Sequence, residues 1–108
     1  MEQHLFRLQR ISALVLAPLV LVHVGVIYYA IRGGLSAEEI LGRTSGSALW
    51  GYFYGTFVAM AALHAPIGVR NVLREWTPLP TLVVDIACLA LGIALLILGL
   101  RAVWIVTL

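Results

Sequence analysis

Three long apolar stretches dominate this chain and limit what it can fold into. They cover residues 11–31, about 46–69 and about 82–104. A helix of about 20 apolar residues crosses the ~30 Å hydrocarbon core of a bilayer. The stretches lack the alternation of every second residue that a membrane β-barrel requires. The sequence therefore predicts an all-α membrane protein. It forms a single transmembrane domain over residues 1–108, with three transmembrane helices that belong to a multi-chain helical bundle.

The composition supports a lipid environment. Of the 108 residues, 62% are hydrophobic and 11% are charged, whereas a soluble domain usually has about a quarter of its residues charged. The net charge of +2 comes from scattered arginines, a pattern that does not indicate nucleic-acid binding. The single cysteine excludes an internal disulfide framework.

The arginines indicate an orientation, and a capping motif marks one loop. Four arginines fall on the side of the N-terminal tail and the second loop, against three on the other side. This bias favours a cytoplasmic N-terminus in the inner membrane of the cell.

In the first loop, Ser36 and Glu39 form a capping pattern that predicts a short interfacial helix over Ala37–Leu41. Arg70 and Arg74 are expected in a solvated or subunit-facing loop.

Two histidines, His23 and His64, lie inside the apolar stretches. Ionisable side chains are costly in a bilayer and usually have a task there. His64 stands six residues before Arg70, about 9 Å from that boundary at ~1.5 Å per residue. His23 lies nearer the opposite face. A neutral imidazole is a good axial ligand for haem iron. The alternative is a histidine that bonds only to a carbonyl of a neighbouring helix.

Small residues accompany His64 and recur earlier in the same stretch. Ala61, Ala65 and Gly68 would let a flat ligand approach the helix backbone, and Pro66 can bend the helix there. Gly51 and Gly55 form a small-xxx-small pair, which favours close helix packing. For this pair the simplest interpretation is packing within the chain.

Two segments resemble a known family. The run from His64 to Trp76, His-Ala-Pro-Ile-Gly-Val-Arg-Asn-Val-Leu-Arg-Glu-Trp, is similar to the end of the second helix in the membrane anchors of succinate dehydrogenase and fumarate reductase. The run Arg10-Ile-Ser-Ala13 resembles the motif that opens their first helix. Length and number of spans also agree, so the resemblance covers essentially the whole chain.

The resemblance implies roles for four residues. His64 matches the position that ligates haem b. Arg10 and Ser12 match the helix start beside the ubiquinone or menaquinone site. Trp76 stands where one type of anchor has a tyrosine that bonds a quinone carbonyl. An indole N–H also donates, but its length and angle differ.

His23 departs from the single-haem pattern of the family. Members with two haems have histidines on the first and second helices that serve different haems at different depths. The resemblance thus implies one haem b at His64, or two haems with His23 as a ligand of the second. Each haem would then take its other ligand from a partner chain.

The expected function is a haem-binding, quinone-site-forming anchor subunit that passes electrons between an iron–sulfur subunit and membrane quinone. Its partners would be a second membrane anchor, the iron–sulfur and flavoprotein subunits, and the lipid bilayer. It would have no catalytic residue of its own. A haem-free structural anchor and a small oligomeric transporter are the alternatives.

Asp85, near the start of the third span, is expected to reach headgroup water or Arg74, and a proton path to quinone is its other interpretation. The sequence leaves open the quinone, the reaction direction and whether the partner anchor is a second copy.

Overall fold

The computed structural model describes residues 2–108, and in this part of the chain it contains four α-helices and no strand. They are α1 (Glu2–Gly33), α2 (Ala37–Thr44), α3 (Ala48–Trp76) and α4 (Thr81–Thr107). Helices α1, α3 and α4 are long and apolar enough to cross a membrane. The predicted all-α membrane architecture is confirmed.

The helices are longer than the apolar stretches that predicted them. Helix α1 has 32 residues, which gives about 48 Å at ~1.5 Å per residue. Since the hydrocarbon core is ~30 Å thick, the first turns of α1 extend beyond it. Helix α3 likewise continues through Pro66 and past Arg70 to Trp76. The segment after Val69 is therefore helix up to Trp76, and the expectation of a loop there is wrong.

Helix α3 is the central element, because α1 and α4 both pack along it. The α1–α3 pair is antiparallel. Glu2 contacts Arg70, Ser12 contacts His64, and His23 contacts Tyr54. This register decides which polar side chains of the two helices meet.

Glycines let α4 approach α3 closely. A Cβ added at Gly92 would lie 3.2 Å from the carbonyl oxygen of Ala62 and 3.2 Å from Cγ of Pro66. A Cβ at Gly99 would lie 2.5 Å from Cγ1 of Val58. Van der Waals packing is a main source of helix association in lipid, so these two glycines define the α3–α4 interface.

The glycine pair singled out from the sequence has a smaller part in this interface. Gly51 packs within the chain, with a hypothetical Cβ 3.6 Å from Oγ1 of Thr107. Around Gly55 there is nothing within 4 Å. The intrachain packing predicted for the pair is therefore found at Gly51 only.

The short helix α2 caps the far end of α4. It begins at Ala37, as the capping motif predicted, with the Ser36 hydroxyl accepting from the backbone N–H of Glu39 at 3.1 Å. The Thr44 hydroxyl donates to the carbonyl of Val106 at 2.6 Å. Gly46, at φ +74°, donates its N–H to the carbonyl of Thr107 at 2.7 Å. Two of the last carbonyls of α4, those of Val106 and Thr107, which have no partner within the helix, are satisfied in this way.

Candidate functional site

Ser12 and His64 face each other across the α1–α3 interface. The Ser12 hydroxyl oxygen lies 3.3 Å from Nδ1 of His64. It also lies 3.0 Å from the carbonyl oxygen of Gln9, one turn earlier in α1. Ser12 is 1% exposed, whereas His64 is partly exposed. No described residue forms a hydrogen bond with Nε2 of His64, so this nitrogen is available to a ligand or partner from outside the chain.

Part of the small-residue face beside His64 is occupied by α1. A Cβ at Gly68 would lie 3.4 Å from Nε2 of Gln9, so Gly68 makes room for that side chain. The space that the sequence assigned to a flat ligand at Gly68 is thus used for helix packing. Oε1 of Gln9 is buried without a hydrogen-bond partner among the described residues.

His23 lies at a different level of the bundle, eleven residues after Ser12 and about 16 Å further along α1. Its ring makes edge contacts with Tyr54 and Phe57 of α3, with centroid separations of 5.8 and 5.1 Å. Its Nδ1 atom is buried and has no hydrogen-bond partner in residues 2–108. His23 therefore lacks the polar support that Ser12 gives to His64.

The two histidines differ in how well they fit a haem. Metal-bound histidines almost always donate their other ring N–H to a neighbouring acceptor. His64 has such an acceptor in the Ser12 hydroxyl, and its Nε2 is unpartnered. Within residues 2–108 there is no cluster of three or more His, Cys, Asp or Glu side chains that could hold a metal ion. Haem iron would need only one ligand from this chain, and His64 fits that requirement.

Four charged side chains join the three long helices at the N-terminal end of α1. The Arg70 side chain donates from Nε to Oδ1 of Asp85 at 2.7 Å and from Nη2 to Oε1 of Glu2 at 2.9 Å. Nη1 of Arg74 donates to the same Glu2 oxygen at 2.7 Å. We call Glu2, Arg70, Arg74 and Asp85 the ionic cluster. Its charges balance, which lowers the cost of keeping Arg70 only 7% exposed.

The ionic cluster corrects two expectations from the sequence. Arg70 is buried between helices rather than solvated in a loop, and Asp85 pairs with Arg70 rather than with Arg74. The sequence did place both residues near the same membrane boundary. It could not show the rotation of each helix about its axis, which decides the pairing. Glu2 lies outside the apolar stretch of α1, and the hydrogen bonds from Arg70 and Arg74 lower the pKa of its carboxyl to about 2.

The residues predicted to contact quinone are not gathered into one pocket by this chain alone. Arg10 is exposed, with its guanidinium 5.7 Å from the ring centre of Phe6. Trp76 ends α3 and is 80% exposed. Among the described residues, no hydrogen bond, ion pair or ring contact joins Arg10 or Trp76 to Ser12.

An apolar groove of about 590 Å³ lies along α3 on another face. Its walls include Leu5, Leu8, Ala62, Pro66, Cys88 and Gly92, with Arg70 and Asp85 at one end. His64 does not line it. The groove is thus separate from the Ser12–His64 pair.

One of three comparisons with known proteins found a match, and that match agrees with the fold. The comparison with curated proteins and the comparison with solved structures gave no match. The model of one family, described as the succinate dehydrogenase/fumarate reductase transmembrane subunit, matches residues 1–99. Together with three helices able to span a membrane, this match shows that the chain belongs to the family of succinate dehydrogenase/fumarate reductase transmembrane subunits.

Proposed function

We propose that this chain is the haem b-binding anchor subunit of a succinate:quinone oxidoreductase or fumarate reductase. The observation that carries the proposal is the arrangement of His64. Its Nδ1 is held by the Ser12 hydroxyl at 3.3 Å inside a helix interface, and its Nε2 has no partner in the described chain. Metal-bound histidines almost always have this arrangement, with one ring nitrogen held by a neighbouring group and the other left for the metal.

The haem would be shared between chains. His64 would supply one axial ligand, and an imidazole of a partner chain would supply the other. That partner is either a second membrane-anchor subunit or a second copy of this chain. A haem held by His64 would supply one-electron chemistry between the iron–sulfur subunit and quinone. This chain's part is to hold one face of the group and to set its surroundings through burial and hydrogen bonding.

A quinone would bind at the N-terminal end of the bundle, near Arg10, Ser12 and Trp76. The guanidinium of Arg10 and the indole N–H of Trp76 are both exposed and can donate to a quinone carbonyl. Ser12 is 1% exposed and lies against His64, so a direct bond from its hydroxyl to quinone would require the hydroxyl to leave the Gln9 carbonyl. With the N-terminus on the cytoplasmic side of the inner membrane, the iron–sulfur and flavoprotein subunits would dock at this same end.

A second haem at His23 is the other version of the proposal. His23 is at another depth than His64, which fits two haems stacked across the membrane. Its buried Nδ1 has no partner among the described residues, so a partner chain would have to supply the acceptor that a ligand histidine normally has. A second haem is therefore less well supported by this chain than the first.

The test is the visible spectrum of the purified membrane complex. The wild type should show a b-type spectrum with two imidazole ligands, and His64→Ala should remove it while the chain still inserts in the membrane. His4→Ala is the matched control, because His4 lies in the exposed N-terminal turns of α1 and should leave the spectrum intact. A colourless wild-type complex would refute the proposal and favour a haem-free structural anchor.

A further inference from the structure

The hydrogen-bonding capacity of Ser12 determines which nitrogen of His64 carries the proton. A serine hydroxyl has one proton to donate and two lone pairs that accept. The Ser12 oxygen lies 3.0 Å from the Gln9 carbonyl oxygen, which can only accept. A serine inside a helix commonly donates its hydroxyl to a backbone carbonyl one turn earlier. Donation to the backbone carbonyl of Gln9 uses the single hydroxyl proton, and it is the arrangement in which both contacts of Ser12 are hydrogen bonds at the same time.

The remaining bond then has only one direction. With its proton used, the Ser12 oxygen can only accept from Nδ1 of His64 at 3.3 Å. Nδ1 must carry the hydrogen, and because a neutral imidazole has only one ring proton, Nε2 carries the lone pair. We propose that Ser12 is a positioning residue that holds His64 in the Nδ1–H tautomer and so presents Nε2 as a metal ligand.

The opposite tautomer would cost the protein a hydrogen bond. It would set the lone pair of Nδ1 against the Ser12 oxygen unless the hydroxyl turned away from Gln9. Ser12 is 1% exposed, so water cannot replace the lost partner. In an apolar interface the loss of a hydrogen bond has a high free-energy cost, because unpaired polar groups are not solvated there.

The inference rests on the proposed haem site and deepens it. An N–H donated to a neighbouring oxygen fixes the orientation of a ligand histidine and raises its basicity, and removing such a partner typically costs 10- to 100-fold in metal affinity. A more basic imidazole favours the oxidised iron. Loss of the Ser12 hydroxyl should therefore raise the haem midpoint potential and weaken haem retention by about 10-fold or more.

One measurement needs no haem. The full chain, labelled with ¹⁵N-histidine and reconstituted without haem in lipid nanodiscs, should show His64 protonated at Nδ1. The His64 signals are assigned by their loss in His64→Ala. In Ser12→Ala they should move toward the Nε2–H tautomer, and in Ser12→Thr, which keeps a hydroxyl, they should stay. A wild-type His64 protonated at Nε2, or signals unchanged in Ser12→Ala, would overturn the inference.

The second measurement uses the complete complex and separates the two claims. If the wild type contains no haem, the proposed function fails. If it contains haem but Ser12→Ala has the same midpoint potential and haem retention as wild type, the assignment of Ser12 fails and the haem site stands. The expected result is a raised potential in Ser12→Ala with recovery in Ser12→Thr. A role for Ser12 in contacting quinone alone would change the KM for quinone and leave the tautomer unchanged.

Discussion

Arg70 of α3 and Asp85 of α4 form an ion pair, with 2.7 Å between Nε and Oδ1, at the end of the bundle where α1 also arrives through Glu2. The guanidinium is mostly buried, and each of its three nitrogens has a carboxylate partner. A single side chain thus connects three helices that are far apart in sequence. The same end of the bundle carries the proposed quinone and docking surfaces.

Replacing Arg70 with Gln should destabilise the bundle by about 1–3 kcal/mol, because it leaves the partly buried carboxylate of Asp85 without its cation. The cost is lower than for a fully buried pair, because the Asp85 side chain is 40% exposed. The measurement is the free energy of unfolding in mixed detergent micelles titrated with SDS. Arg74→Gln is the matched control, since Arg74 is 38% exposed and exposed pairs contribute only about 0–1 kcal/mol. Equal losses in both variants would contradict the importance assigned to Arg70.

The contribution of Glu2 should depend on pH. Its carboxyl pKa falls from the usual 4.5 to about 2 in the folded chain, mainly through Arg70 and then Arg74. A lowered pKa stabilises the fold fully above the unfolded value and loses that effect as the pH falls toward the folded value. The difference in unfolding free energy between wild type and Glu2→Gln should therefore be constant above about pH 5.5 and shrink between about pH 4.5 and 2. A difference that does not change with pH would show that the Glu2 contacts do not form.

Gly99→Ala should weaken the α3–α4 interface. The added methyl would lie 2.5 Å from a Val58 methyl carbon, so either the side chain or the helices must move. Overpacking of this kind typically costs about 1–3 kcal/mol. Gly55→Ala is the matched control, because nothing lies within 4 Å of its added carbon, and better helix propensity should make it neutral or slightly stabilising. SDS titration compares the two, and an equally stable Gly99→Ala would show that the helices are further apart.

Thr44→Val should weaken the attachment of α2 to the end of α4. The substitution keeps the shape of the side chain and removes the hydroxyl that donates to the Val106 carbonyl at 2.6 Å. The expected cost is about 1 kcal/mol, together with faster hydrogen exchange of the α2 amides. Ser36→Ala provides the comparison, because it removes only the local cap of α2. Unchanged exchange in Thr44→Val would mean that α2 is held by other contacts.

The apolar stretches were enough to predict the three membrane helices, since twenty apolar residues in lipid have few other choices. They also exposed His64 and His23, because an ionisable residue stands out in such a background. The pairing of Ser12 with His64, and of Arg70 with Asp85, could not be predicted. Each depends on the rotation and register of two helices, and those are set by contacts spread along the whole interface.

Gly92 and Gly99 show the same limit. In the sequence they are two small residues in an almost uniformly apolar stretch. Gly51 and Gly55 looked more informative because they have the familiar spacing. The structure shows Gly92 and Gly99 in close contact with α3, and nothing within 4 Å of a Cβ added at Gly55. The small-xxx-small spacing indicates that another helix could approach this helix face closely, but it does not show that one does.

The most direct test of the account is the number of haem groups per copy of this chain in the purified complex, measured for wild type and His64→Ala. With a haem at His64 alone, we expect one haem per copy if the partner anchor is a different chain, or one per two copies if it is a second copy. His64→Ala should contain none while its partner subunits are retained. A complex without haem, or a His64→Ala complex that keeps its full haem content, would contradict the assignment of His64 as the iron ligand.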